Sequence, residues 1–271
     1  MEHIEHKVDF AFLDSGTGGI PYMMSLKKKC PESSGVYLGD TAHFPYGEKS
    51  VDEVASSAYE AVSLIVRKWN PRALVVACNT ISVTALDFLR KSFPNLPIVG
   101  TVPAIKLAAE VSENKKIGLL ATNATVANPY CKKLIQDFAS GCEIFSRGDP
   151  DLVSFIERDF FISSQEQKIA AVKPSVEYFK SCGCDTVILG CTHFTHIAGL
   201  YSKVCGKGIK VVDSREGVAN QALRKLGEGE HIHLPLEKDM SFFVTAATES
   251  QTTEYRILCS NLNIPWGGIV D

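Results

Sequence analysis

Two stretches of this chain run a buried apolar segment into a cysteine flanked by hydrogen-bonding residues: Ala73-Leu-Val-Val-Ala-Cys78-Asn79-Thr80 and Thr186-Val-Ile-Leu-Gly-Cys191-Thr192-His193. A thiolate can take a proton and a thiol can give one, so two cysteines in matching positions suggest a paired acid/base site. One sulfur would remove a proton from a carbon acid and the other would return one to the opposite face, inverting the centre. Run backwards, the roles exchange. A free thiol, with a pKa of about 8.5, is only a few per cent ionised at neutral pH, and a helix N-terminus directly after each cysteine would favour the thiolate. The carbanion also needs preorganised donors, for which Asn79, Thr80 and Thr192 are the right residue types at helix starts.

Other readings of the same residues compete. Cys182, Cys184, Cys191, His193 and His196 could suggest zinc, but Cys184 enters a strand that Cys191 leaves. At about 3.3 Å per residue the two lie roughly 20 Å apart, whereas zinc holds its ligands at about 2.0–2.3 Å. A nucleophilic dyad of Cys191 and His193 leaves Cys78 without a role. Treating both cysteines as small buried hydrophobes leaves the polar residues after each unexplained.

The elements that must position these thiols are legible around them. Ser50 to Glu53 and Ser163 to Glu166 each read as a capping box, and each serine stands 28 residues before its cysteine. Val54, Ala58, Ala61, Val62 and Ile65 recur at helical spacing after the first box, and Ile169, Val172, Val176 and Phe179 after the second. Strands are expected at Val8–Leu13, Val36–Leu38, Ala73–Ala77, Ile98–Val99, Ile117–Leu120, Glu143–Phe145, Thr186–Gly190 and Lys210–Val212. Alternation with helices predicts parallel α/β architecture in two sets of four strands, with the cysteine unit third in each. We expect a first domain of residues 1–98 completed by 213–271, a second of 99–212, and an active-site cleft between them. The helix-like Gly217–Leu226 and strand-like Ser241–Thr245 could complete the first sheet.

Polar residues cluster at the carboxyl ends of these strands, where parallel sheets bind ligands. Asp14-Ser15-Gly16-Thr17-Gly18-Gly19 fits neither nucleotide fingerprint. It reads as a turn or as an anion or carboxylate site at a helix start, with Asp14 suited to an ammonium group. Leu38 to Gly47 reads equally as a plain loop or as a site, in which Pro45 and Gly47 shape a turn presenting backbone donors.

Composition narrows the class. A net charge of −3 offers no general nucleic-acid surface, and Lys27-Lys28-Lys29 reads as a solvated helix end. No apolar run approaches the roughly 18 residues of a membrane span, and the first residues lack signal-peptide character. A cytoplasmic protein is expected, with no membrane or nucleic-acid partner. The nine cysteines then imply reduced thiols, among them Cys30, Cys131, Cys142 and Cys205 as inert packing or surface residues.

Taken together, Asp14-Ser15-Gly16-x-Gly18-Gly19, Gly39-Asp40-x-Ala42-x-x-Pro45-Tyr46-Gly47, Cys78-Asn79-Thr80 and Gly190-Cys191-Thr192-His193 resemble the glutamate racemase family of the aspartate/glutamate racemase superfamily. The resemblance implies two flavodoxin-like domains and a cofactor-independent, metal-free enzyme, frequently a homodimer, that supplies D-glutamate for bacterial peptidoglycan. It implies Cys78 and Cys191 as acid/base catalysts, tuned by Asp14, Asp40, Glu157 and His193. Substrate contacts fall to Asp14, Ser15, Tyr46, Gly47, Asn79, Thr80, Thr122, Thr125, Thr192 and His193. The chain departs from the family pattern at Thr195, where proline is usual, and at Asp149, where cysteine is common. A related aspartate racemase or a non-catalytic amino-acid binding protein are the alternatives.

Overall fold

Seven consecutive buried residues, Val8–Asp14, form β1, a strand covered on both faces as in parallel sheets. The chain divides into two compact units, Met1–Thr101 with Arg215–Asp271, and Val102–Ser214. The computed structural model describes residues 6–227 and 229–271. After β1 come α1 (Ile20–Lys29), β2 (Gly35–Gly39), α2 (Val51–Trp69), β3 (Pro71–Val76), α3 (Asn79–Ser92) and β4 (Ile98–Gly100). The second unit holds α4 (Ile105–Val111), β5 (Lys116–Ala121), α5 (Asn123–Ala127), α6 (Pro129–Phe138), β6 (Glu143–Gly148), α7 (Pro150–Arg158), α8 (Gln165–Ser181), β7 (Thr186–Leu189), α9 (Ala198–Cys205) and β8 (Lys210–Val212). The chain then returns to the first unit with α10 (Arg215–Leu226), β9 (Ser241–Val244), α11 (Glu249–Leu262) and β10 (Trp266–Ile269).

Both sheets are wholly parallel, ordered β10-β9-β2-β1-β3-β4 and β6-β5-β7-β8. The first sheet therefore has six strands, not four. Beyond β9 it gains β10, whose Trp-Gly-Gly-Ile sequence carries a register shift between Trp266 and Gly268. The first unit runs to Thr101 because β4 pairs with β3 as far as Gly100 and Ser82 Oγ accepts the Thr101 N–H at 2.8 Å.

The helices owe their placement to caps and one apolar face. Ser50 and Glu53 form the capping box of α2, and Val54, Ala58, Ala61, Val62 and Ile65 are buried behind it. The second box sits one residue later than expected, at Ser164 and Gln167. Ser163 donates its N–H to Asp159 O at 2.9 Å and so still belongs to the turn after α7. Ile169 is correspondingly exposed, while Val172, Val176 and Phe179 are buried. Lys27 and Lys29, at the end of α1, are paired with Asp239 at 2.6 Å and Glu216 at 2.7 Å rather than simply solvated. Leu13, Ile65, Val76 and Leu89 anchor the first core and Ile117, Leu119 and Ile188 the second. Each such side chain contributes roughly 1.5–3 kcal/mol on burial.

Candidate active site

Strand order in each sheet reverses beside its first strand, β2-β1-β3-β4 and β6-β5-β7-β8, which puts the binding end of each at the carboxyl termini of β1/β3 and β5/β7. Cys78 lies two residues beyond β3 and Cys191 two beyond β7. Asp14 ends β1, and Thr122 follows β5.

In the first unit, Cys78 is extended (φ −136°, ψ 118°) and is the N-cap residue of α3. The positive end of a 14-residue helix thus adjoins its sulfur and favours negative charge there. Asp14 is buried and accepts from its own loop, from Ser15 Oγ at 3.3 Å and the Gly16 N–H at 3.1 Å. Below that loop, the Tyr37 hydroxyl accepts from the Gly19 N–H at 2.9 Å and donates to Gly16 O at 2.8 Å. Gly19 must lack a Cβ, which would stand 2.6 Å from the Ala77 Cβ. Asp40, one strand over, gathers the Tyr46 hydroxyl, Thr245 Oγ1 at 2.8 Å and His43 Nδ1 at 2.9 Å. Burial, then the Asp40 charge, then Cys78 push the Tyr46 phenol far up, so Tyr46 stays a neutral donor. Tyr46 and Gly47 lie on a short 3-10 turn, Tyr46–Glu48.

Asn79 and Thr80 open α3 and are buried. Neither Oδ1 nor Nδ2 of Asn79 has a hydrogen-bond partner among the described residues. An unpaired buried amide costs about 1–3 kcal/mol per group, so its retention beside the Cys78 sulfur calls for a use.

In the second unit, Cys191 leads into a 3-10 helix, Thr192–Ile197, and the α-helix begins only at Ala198. The expected α-helix directly after the cysteine is therefore present at Cys78 and not at Cys191. Thr195 Oγ1 donates to Thr192 O at 2.7 Å, closing this turn. His193 supplies what the helix does not. Its Nδ1 lies 3.8 Å from Cys191 Sγ and its Nε2 2.9 Å from Glu157 Oε2. All three are buried. Burial works against a charged ring, but hydrogen bonds to Cys191 and Glu157 and their negative charges outweigh it, holding the His193 pKa well above its ordinary value. Glu157 is aimed by α7, which Asp149 caps by accepting the Leu152 N–H at 3.1 Å. Thr122 caps α5 and donates to Thr125 Oγ1 at 3.0 Å. Thr192 is buried at the start of the 3-10 helix.

Residues 22–222 match the family profile of Asp/Glu/Hydantoin racemases, and that span includes both cysteine-bearing strand ends. The chain belongs to this family. Among its fellow racemases, the glutamate racemase of Treponema pallidum (strain Nichols) is 36% identical over 272 residues, covering 100% of both chains. The glutamate racemase of Shewanella frigidimarina is 38% identical over 208 residues, 77% of this chain and 79% of its own. Among solved racemases, the Escherichia coli glutamate racemase in complex with L-glutamate and the activator UDP-MurNAc-Ala superposes with a TM-score of 0.82 at 28% identity, covering 97% of each chain. Glutamate racemase isoform RacE1 from Bacillus anthracis superposes with a TM-score of 0.82 at 27% identity, covering 98% of each.

Several buried or hydrogen-bonded residues around these strand ends carry no local signal. Tyr37 is one apolar strand residue among others until its hydroxyl meets the Gly16–Gly19 loop. Thr245 reaches Asp40 from 205 positions away. Thr101, buried just past β4, holds an Oγ1 without a hydrogen-bond partner among the described residues. Cys182, Cys184, Cys191, His193 and His196 do not form a group of converging donors.

Proposed function

We propose that this chain interconverts L- and D-glutamate by a two-base mechanism in which Cys78 and Cys191 serve opposite faces of the α-carbon. The observation that carries this reading is the equivalent position of the two thiols, each two residues past the third strand of a sheet with the same core order. One thiolate takes the Cα proton, and the C–H electron pair passes into the α-carboxylate. The other thiol delivers its proton to the opposite face and becomes the thiolate, so the sulfurs have exchanged states and solvent exchange resets them. The Asn79 amide, without a hydrogen-bond partner among the described residues, and the N–H groups opening α3 offer donors for the carboxylate as charge grows on it. Asp14 suits the ammonium group; Ser15 and the Tyr46-Gly47 turn suit the side-chain carboxylate; Thr80, Thr122, Thr125, Thr192 and His193 complete the contacts. Asp40 and Glu157 act through Tyr46 and His193.

No cofactor or metal enters this chemistry. No helix among the described residues is long and apolar enough to cross a membrane, and we place the enzyme in the bacterial cytoplasm as a homodimer making D-glutamate for peptidoglycan. Incubation in deuterated water tests the reading. Glutamate should gain deuterium at Cα without added pyridoxal phosphate, and aspartate should not. Exchange into aspartate alone would indicate an aspartate racemase, and exchange into neither a binding protein.

A further inference from the structure

Cys30, which the sequence reads as an inert packing or surface residue, closes α1 and is buried. Its Sγ lies 3.7 Å from Nε2 of His231, on the stretch between α10 and β9. Glu32 Oε1 lies 4.0 Å from the same nitrogen. Among the described residues, these three are the one group of His, Cys, Asp or Glu side chains whose donor atoms all fall within 4.8 Å of one another. They gather at the amino-terminal end of β1 and β2, the end of the sheet away from Cys78.

A second observation concerns the other face of the imidazole. His231 Nδ1 stands 3.1 Å from Oδ2 of Asp9, a fully buried carboxylate whose Oδ1 is held by Arg72 at 2.9 Å. Asp9 also accepts the N–H groups of Ser34 and Ile232, at 3.1 and 3.2 Å. A carboxylate so placed only accepts, so Nδ1 carries the proton and Nε2 turns its lone pair toward Cys30 and Glu32. A carboxylate orienting a histidine whose other nitrogen faces a thiol and a carboxylate is the outer shell of a metal site.

The thiol–imidazole separation fits a particular ion, and the exposed Glu32 carboxylate, at 4.0 Å, has to move in by about half an ångström to join it. Ligands at tetrahedral corners, with Zn–S about 2.3 Å and Zn–N about 2.0–2.1 Å, stand about 3.6 Å apart, close to the Cys30–His231 separation of 3.7 Å. Thiolate plus imidazole selects zinc over magnesium or calcium. Thiolate and carboxylate together balance the charge of a divalent ion. We propose that Cys30, Glu32 and His231 bind Zn²⁺, with solvent in the fourth position, and that the ion staples the α1–β2 connection to a segment 201 positions later. A thiol nucleophile built from Cys30, His231 and Asp9 is less favoured: the Glu32 charge opposes its thiolate, and Cys30 is only 8% exposed.

Cobalt and zinc, added to the reduced, metal-free full chain, test this. Co²⁺ should give a thiolate-to-cobalt charge-transfer band at one equivalent that Cys30→Ser abolishes and Cys78→Ala and Cys191→Ala retain. Glu32→Gln, on an exposed side chain, should leave the fold intact and weaken binding about 10-fold or more. Zn²⁺ at a hundredfold excess over Kd should raise the melting midpoint by roughly 5 °C in the unmodified chain and not in His231→Gln. Glutamate racemisation should be unchanged in Cys30→Ser. Absence of the band, its survival in Cys30→Ser, or equal zinc protection of His231→Gln would overturn the proposal. So would alkylation of Cys30 by iodoacetamide at the same rate with and without Zn²⁺.

Discussion

Cys78 opens α3, a 14-residue α-helix, whereas Cys191 opens a six-residue 3-10 helix and meets an α-helix only at Ala198. The first sulfur has a helix end behind it and the neutral Tyr46 hydroxyl, tied to Asp40, in its neighbourhood. The second has an imidazole at 3.8 Å, itself held by a carboxylate at 2.9 Å. The strand order that delivers the thiols is the same in both units, and the chemistry that supports them is not. A repeated scaffold can therefore fix where two thiols stand while leaving the surroundings of each to differ. The two directions of the reaction then need not respond alike to pH or to substitution.

The largest effect should come from the sulfurs themselves. Cys78→Ala or Cys191→Ala should lower racemisation by about 10³-fold or more with an unchanged circular dichroism spectrum, since one thiol cannot serve both faces. Substantial turnover by either variant would break the pairing.

Glu157→Gln should break the comparison on one side only. It keeps a hydrogen bond to His193 but removes the charge that helps raise its pKa. We expect about a 10-fold loss of kcat, larger in one direction than in the other, and an alkaline limb shifted to lower pH. Stability should follow with a defined sign. A histidine whose folded pKa is raised contributes fully below its unfolded value of about 6.5, and that contribution is lost as pH rises through the folded value. Urea midpoints of the unsubstituted protein should therefore fall with rising alkalinity, and those of Glu157→Gln should fall less and earlier.

A smaller and opposite pair of effects is expected at Asn79. Asn79→Ala removes an amide without hydrogen-bond partners among the described residues, so the ligand-free melting midpoint should hold or rise while KM for glutamate increases. A drop of several degrees would show the amide to be structural. Smallest of all, Ser50→Ala and Ser164→Ala should each cost about 1 kcal/mol through loss of a cap, while Ser163→Ala should stay within about 0.5 kcal/mol.

Much of this architecture was legible because the signals are local. The buried strand Val8–Asp14, the Ser50 box and the apolar runs into Cys78 and Cys191 each declare themselves within a few residues. Ser163 and Ser164 are adjacent, and only the turn that Asp159 closes on Ser163 decides which one caps. The 3-10 helix after Cys191 was hidden because its residues also suit an α-helix start. β10 escaped notice because two glycines in a four-residue strand weaken any strand pattern, and pairing with β9 is what makes it one. Tyr37, Thr245 and the Asp9–His231–Cys30 group become visible only when distant segments meet. Cys78 and Cys191 stand out in the sequence because each follows an apolar strand, precedes polar residues and matches the other in position; Cys30 has no such surroundings.

The return of the chain to its first sheet sets a timetable for biosynthesis. Residues 102–214 are contiguous, so the second sheet has all its strands as soon as Val212 is made. β2 is different: its outer neighbour is β9, and Thr245 is joined some 205 positions after the Asp40 it will bind. At about 5–20 residues per second, a ribosome leaves that flank of β2 unpaired for roughly 10–40 s. An unpaired parallel strand is a template for misassembly. The nascent first unit is thus the vulnerable one, and slowing translation between α10 and β9 should lower soluble yield more than the same delay after β9.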